Sequence, residues 1–265
     1  MTSKKSVYDI VTDTKNYAKF REFGKLMEAS GVMQPASGTI KFGSAMNVTV
    51  FNTYHYTVYI PTNESLLNLM NLNDGVYYRN IIANDSLTNI WNAAYVDAKN
   101  EAKTNTKITA DLVMSKVMRK RCSYDTAITE VMDGNNTAAD SAFKYETALQ
   151  EIQKRTQNFV KYHIQDNSLY IGGENKSKEY ETSYMDASTK MFIRLNITAT
   201  PTSIVIKDKS TTPKHVLTDD ANLYNIMCRE YEYKLNGTKP DMLETSSYAV
   251  IHYIDGPLCN GEVDF

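Results

Sequence analysis

The chain has 265 residues, which suits one large domain or two small ones. Its 29 basic and 31 acidic residues leave a net charge of −2, so there is no electrostatic footprint for nucleic acid. Apolar residues make up 42 % of the chain, enough for a core, but no run approaches the ~20 apolar residues that cross a bilayer.

Residues 5–34 read as helical. Val7, Ile10 and Val11 share a face, Tyr17, Phe20, Phe23, Leu26 and Met27 continue the spacing, and Ser30-Gly31 ends it. Residues 38–60 read as extended. In "YTVYIPTNESLLNLM" (Tyr56–Met70), Thr57–Ile60 suit a strand, and Pro61 must end its pairing. Thr62 or Asn63 then caps a helix that carries Glu64 in its first turn.

Residues 71–148 hold almost no strand signal. Leu87, Ile90, Trp91, Ala94, Tyr95 and Ala98 fall at helical spacing, as do Ile108, Leu112, Val113 and Val117. The basic run Lys116–Arg121 reads as a solvated helix face. Asp133-Gly134-Asn135-Asn136 marks a turn. A third helical stripe, Leu149, Ile152, Thr156, Phe159, Val160 and His163, runs into "VKYHIQD".

From Ser168 the period changes to two. Strand patterns recur at 179–184, 191–198, 203–206, 215–217, 224–228 and 249–254. "REYEYKLNGTKPDM" reads as a long exposed hairpin or loop. Helices first and strands last argue α+β.

The sequence lacks the usual catalytic motifs. It has no GxSxG, HExxH, GxxxxGK[ST] or CxxC. His55, His163, His215 and His252 each lack a His or Cys at metal-ligand spacing. Cys122, Cys228 and Cys259 are too few and scattered for a disulfide scaffold; either one pair bridges and leaves a thiol over, or all three are packed small hydrophobes. Asp219-Asp220 is turn chemistry. No cofactor or metal is expected, and no catalytic residue is assigned.

Three ordered stretches resemble the fasciclin (FAS1) domain family. "YTVYIPTNESLLNL" is similar to its first motif through Thr57, Val58, Pro61, Thr62, Asn63 and Glu64, with Ile60 replacing the usual Ala. "NFVKYHIQD" resembles the central motif through Tyr162 and His163. "YAVIHYIDGPL" resembles the second conserved motif through Val250 or Ile251, His252, Ile254, Asp255 and Leu258, although Ser246-Ser247 stands where the family has Asn-Gly.

The resemblance implies a wedge-shaped β-sandwich with packed N-terminal helices, a single domain over 1–265, and an extra helical insertion at 71–148. It implies a non-catalytic adhesion or interaction module binding protein or carbohydrate at the cell surface. The alternative is a polysaccharide-binding accessory protein of a nutrient-uptake system. Composition and the large insertion resemble surface lipoproteins of gut Bacteroidetes, held to the membrane only by a lipid anchor absent from this sequence. Asp85-Ser86-Leu87, Asp125-Thr126-Ala127 and Asp140-Ser141-Ala142 resemble a short O-glycosylation sequence of that phylum, making Ser86, Thr126 and Ser141 candidate sites. The motif residues are expected to fix packing: His163 and His252 by pointing inward, and Asp255 by accepting backbone N–H groups at the Gly256-Pro257 turn.

Overall fold

The structure, a computed structural model, describes residues 5–35, 46–48, 55–71, 87–120, 122–236 and 239–261. The expected strand around Thr39–Phe42 lies outside them. The chain divides into two compact units. One comprises Met1–Leu66 and Thr156–Asp264, the other Leu67–Arg155.

The first unit begins with helix α1 (Val7–Val11), closed by a capping box between Ser6 and Asp9. The predicted single helix over 5–34 is interrupted. The Asp13 carboxylate accepts from the Asn16 backbone N–H (3.1 Å) and side-chain amide (2.7 Å) and turns the chain. A 3-10 turn (Ala18–Phe20) and helix α2 (Arg21–Ala29) follow. Gly31, at φ 69°, takes the left-handed conformation after α2 that a side chain would resist. Strands β1 (Met33–Pro35) and β2 (Met46–Val48) form a small antiparallel sheet.

The main sheet has eight strands. They are β3 (His55–Pro61), β4 (Ile164–Asp166), β5 (Lys178–Met185), β6 (Phe192–Ala199), β7 (Ile204–Lys207), β8 (Lys214–His215), β9 (Ile226–Asn236) and β10 (Lys239–Ile254). Their order is β8-β7-β6-β5-β4-β3-β10-β9. Only β3 and β10 pair in parallel, from Tyr248 opposite His55 to Ile254 opposite Pro61. The sheet curls until the stretch after β8 meets the end of β10, where Val216 bridges Ile254 and the Leu217 N–H donates to the Tyr253 carbonyl.

The curl explains two kinds of sequence pattern. In β6 only alternate residues, Leu195 and Ile197, are buried, because one face meets solvent. In β3 and β10, Tyr56–Pro61 and Ala249–Ile254 are buried without alternation, because both faces are covered. Inside the curl, Tyr59, Tyr180, Leu195, Ile206, Ile254 and Leu258 belong to one core cluster. Phe20 stacks obliquely on Tyr253, and Phe23 on His163, so α2 and the turn before it pack on this sheet. The architecture is α+β.

Helix α3 (Asn63–Asn71) follows β3 directly. The second unit is helical: α4 (Leu87–Thr104), α5 (Ala110–Lys120), α6 (Tyr124–Met132), α7 (Ala138–Ser141) and most of α8 (Tyr145–Tyr162). Helix α5 is central, with Val113–Val117 all buried. Among the described residues, no helix is long and apolar enough to cross a membrane.

The basic run on α5 departs from its predicted solvated face. Lys116 is fully buried. Its ammonium donates to the Asp140 carboxylate (2.6 Å) and to the Asn135 carbonyl, with Glu130 at 3.8 Å. Asp140 also accepts from the Ser115 hydroxyl (2.8 Å) and the Thr137 N–H (2.8 Å). Burial would push the Asp140 carboxyl up, but Lys116, Thr137 and Ser115 override it and hold it well below the usual carboxylate range. Arg119, one turn further, is exposed as predicted. Cys122, Cys228 and Cys259 form no disulfide with one another; Cys228 is buried, and Cys122 and Cys259 are half-buried.

Candidate functional site

The motif residues on β3, α8 and β10 converge within the first unit. β3 ends at Pro61, and the question of which residue caps α3 is answered by geometry. Thr62 is the cap: its hydroxyl accepts from the Ser65 N–H (3.2 Å). Asn63 has a different task. Its side-chain oxygen accepts from the Glu22 N–H (3.1 Å), and its amide donates to the Ala18 carbonyl (3.0 Å). It thus satisfies the first turn of α2, whose own N-cap, Phe20, supplies no side-chain bond. Asn63→Ala should lower stability by about 1–2 kcal/mol in urea unfolding, the cost of a lost cap, despite its distance from α2 in sequence. A change below a few tenths would show that the tether carries no stability.

Two motif residues grip the same backbone unit. The Thr57 hydroxyl donates to the Asn167 carbonyl (2.7 Å) and accepts from the Leu169 N–H (3.0 Å). His252 Nε2 lies 2.9 Å from the Leu169 carbonyl, while Nδ1 accepts from the Asn225 N–H (3.4 Å). The tautomer follows: Nε2 carries the proton and donates to Leu169. The segment between β4 and β5 is therefore held by side chains of two neighbouring strands, β3 and β10.

His163 joins two other segments. Its Nδ1 sits 2.8 Å from the Phe159 carbonyl, and its Nε2 accepts from the Leu258 N–H (2.9 Å). The end of α8 is thereby fastened to the chain after β10. Phe23 and Phe159 pack on the ring at 5.1 and 4.5 Å. Both imidazoles are fully buried, as the patterning predicts, and burial pushes each down to about 4. Each is thus neutral near pH 7. Tyr162, next to His163, is 2 % exposed, and burial pushes its phenol up. Its hydroxyl has no hydrogen-bond partner among the described residues.

Asp255 differs from expectation. It accepts from the His215 N–H (2.9 Å), and its second oxygen lies 3.0 Å from His215 Nδ1. The Asp255 N–H donates back to the His215 carbonyl (3.1 Å). Its partner is the edge strand β8 and not the Gly256-Pro257 turn; Pro257 has no N–H to give. The residue latches the curl of the sheet where β8 meets the end of β10.

The candidate modification sites scatter. Ser86 lies outside the described residues. Thr126 and Ser141 are exposed on α6 and α7, although their hydroxyls bond locally to Ser123 and the Thr137 carbonyl.

The second unit carries an open cleft of about 350 Å³ that the sequence did not flag. Asp97, Asn100, Glu101 and Thr104 line it from one face of α4, with Tyr124 at the start of α6. The i, i+3, i+4 and i+7 spacing on α4 was the available signal. Burial pushes the Tyr124 phenol up, and Glu101, Asp97 and Asp125 add to the shift. Such a surface offers carboxylates, an amide, a hydroxyl and a phenol as hydrogen-bonding groups. Among the described residues, no group of three or more His, Cys, Asp and Glu is arranged to hold a metal ion. No protein-family model matches the chain, and no curated protein matches it.

Proposed function

We propose that the chain is a non-catalytic adhesion or interaction module of fasciclin type, displayed at a cell surface and binding a protein or glycan partner. One observation carries the reading. The three ordered motifs resembling that family meet in one place, and their polar side chains bond to the fold itself. Thr57 and His252 hold Leu169, His163 holds Leu258, and Asp255 holds His215. Imidazoles engaged on both nitrogens are positioned to maintain a scaffold, and binding then falls to surfaces elsewhere. The curled sheet, packed on α2, is compatible with a wedge-shaped sandwich of this kind. The surface location rests on the family resemblance.

The cleft beside α4 favours a second reading, a polysaccharide-binding accessory protein. Its carboxylates, amide, hydroxyl and phenol are groups that hydrogen-bond sugar hydroxyls. The purified chain, bead-coated for cell adhesion and labelled for a glycan array, separates the two. Adhesion with array silence supports the module reading. Array hits lost in Asp97→Asn and Glu101→Gln support the second. Hydrolysis of an array glycan or an ester substrate would overturn the non-catalytic reading.

A further inference from the structure

Helices α5, α6 and α7 bring three groups of complementary reactivity together inside the second unit. One is a primary amine, Lys116 Nζ, on a fully buried side chain. The second is the Asp140 carboxyl, 4 % exposed, whose Oδ2 lies 2.6 Å from that nitrogen. The third is Glu130, whose Oε2 stands 3.8 Å from the same nitrogen on a half-buried side chain. An amine and a carboxyl held in contact are the two reactants of amide formation.

In water an ammonium and a carboxylate do not condense, because both are well solvated and must meet by diffusion. Here both conditions change. Enclosure costs each ion several kcal/mol of hydration, and a neutral amide relieves a penalty that the ion pair retains. Fixed contact replaces encounter, and well-oriented intramolecular reactions reach effective concentrations of about 10⁵–10⁸ M. The surrounding bonds also give the two carboxyl oxygens different surroundings. Oδ1 accepts from the Ser115 hydroxyl (2.8 Å), a donor placed to stabilise the negative oxygen of a tetrahedral adduct. Oδ2 faces the lysine nitrogen and accepts from the Thr137 N–H (2.8 Å). The Asn135 carbonyl accepts from the same ammonium and keeps it from turning away.

We infer that Lys116 and Asp140 condense into an isopeptide bond that ties α5 to α7, with Glu130 carrying the proton. The step balances with no further reactant. The Glu130 carboxylate takes one proton from the ammonium, and the freed amine attacks Asp140 Cγ. The Nζ–Cγ bond forms, and Oδ1 takes up negative charge beside Ser115. Glu130 returns its proton to Oδ2, and a second proton follows from the nitrogen. The Cγ–Oδ2 bond then breaks, Oδ2 leaves as water, and one hydrogen stays on the amide nitrogen. The donors that hold Asp140 ionised make it a reluctant electrophile, so the bond forms slowly after folding. The inference stands apart from the fasciclin reading, which rests on the other unit.

Intact-mass spectrometry of the full chain, folded at neutral pH for increasing times and then denatured, tests it. The expected result is a mass that falls by one water, with a branched peptide joining Lys116 to Asp140 after digestion. Glu130→Gln leaves the ion pair in place and should slow the loss of water about a hundredfold. Lys116→Arg keeps a cation against Asp140 without a free amine and should hold the full sequence mass. A wild-type chain that stays at its sequence mass while circular dichroism shows it folded overturns the inference. So does a water loss that maps to a succinimide at Asp133-Gly134, or one that Glu130→Gln leaves at the wild-type rate.

Discussion

Stability should fall steeply as the solution is acidified from neutrality to about pH 4, well before the carboxylates titrate. His163 and His252 are held neutral inside the fold, each lowered from 6.5 to about 4. Between those values the unfolded chain takes up protons that the native chain refuses, so lowering the pH favours unfolding. The stability is fully present above pH 6.5 and is lost as pH falls to about 4, where the native imidazoles protonate too. Each residue accounts for a loss of the order of 3 kcal/mol over that window. Asp140 acts in the same sense but lower, because its carboxyl is held below its ordinary 3.8. Urea midpoints measured against pH read the effect directly. A flat profile between neutrality and pH 4 would show that the imidazoles are not excluded from water. His252→Gln should remove one share of the slope. His163→Ala should also lower stability at neutral pH, because the Phe159 carbonyl and the Leu258 N–H lose their partner inside the core.

Lys116→Met should destabilise the helical unit by about 3–5 kcal/mol. The loss of the ammonium leaves the Asp140 carboxylate, itself about 4 % exposed, without its cation. Asp140→Leu should cost a similar amount by stranding the lysine, and it also removes the capping box with Thr137. Combining the two replaces a buried ion pair with apolar side chains, so the double variant should be more stable than the sum of the single costs implies. A double-mutant cycle in urea measures that coupling. Single-variant costs under ~1 kcal/mol would place the pair in effective contact with solvent.

How legible these features were in the sequence depends on how far apart their partners lie. The end of β3 at Pro61 and the cap at Thr62 follow from neighbours within three residues, and both stand where the pattern puts them. The inward set of His163 and His252 follows from helical and strand periods. The task of Asn63 is different, because the N–H groups it satisfies lie at Glu22, in another helix. Lys116 has the spacing of an exposed stripe, and only Asn135 and Asp140, arriving from the α6–α7 turn and α7, make its burial possible. Asp255 and His215 meet because the sheet curls, and curl is a property of no single strand. The break at Asp13 was local and could have been found, since Asp-Thr-Lys-Asn is turn chemistry inside an otherwise apolar period. The cleft on α4 was masked by its composition, for Asp, Asn, Glu and Thr on one helix face are also what a solvated face looks like.

The parallel pairing of β3 with β10 bears on how the molecule is made. Its register joins His55 to Tyr248, so the middle of the sheet is closed by segments from opposite ends of the sequence. A ribosome delivers β3 long before β10, and until then β3 has only β4 beside it in the finished strand order. Loops of that length close slowly, and the apolar run Thr57–Ile60 waits with one flank unpaired. The nascent chain therefore passes through a stage in which its most buried strand is an open edge, which is the stage at which a holding chaperone would matter most.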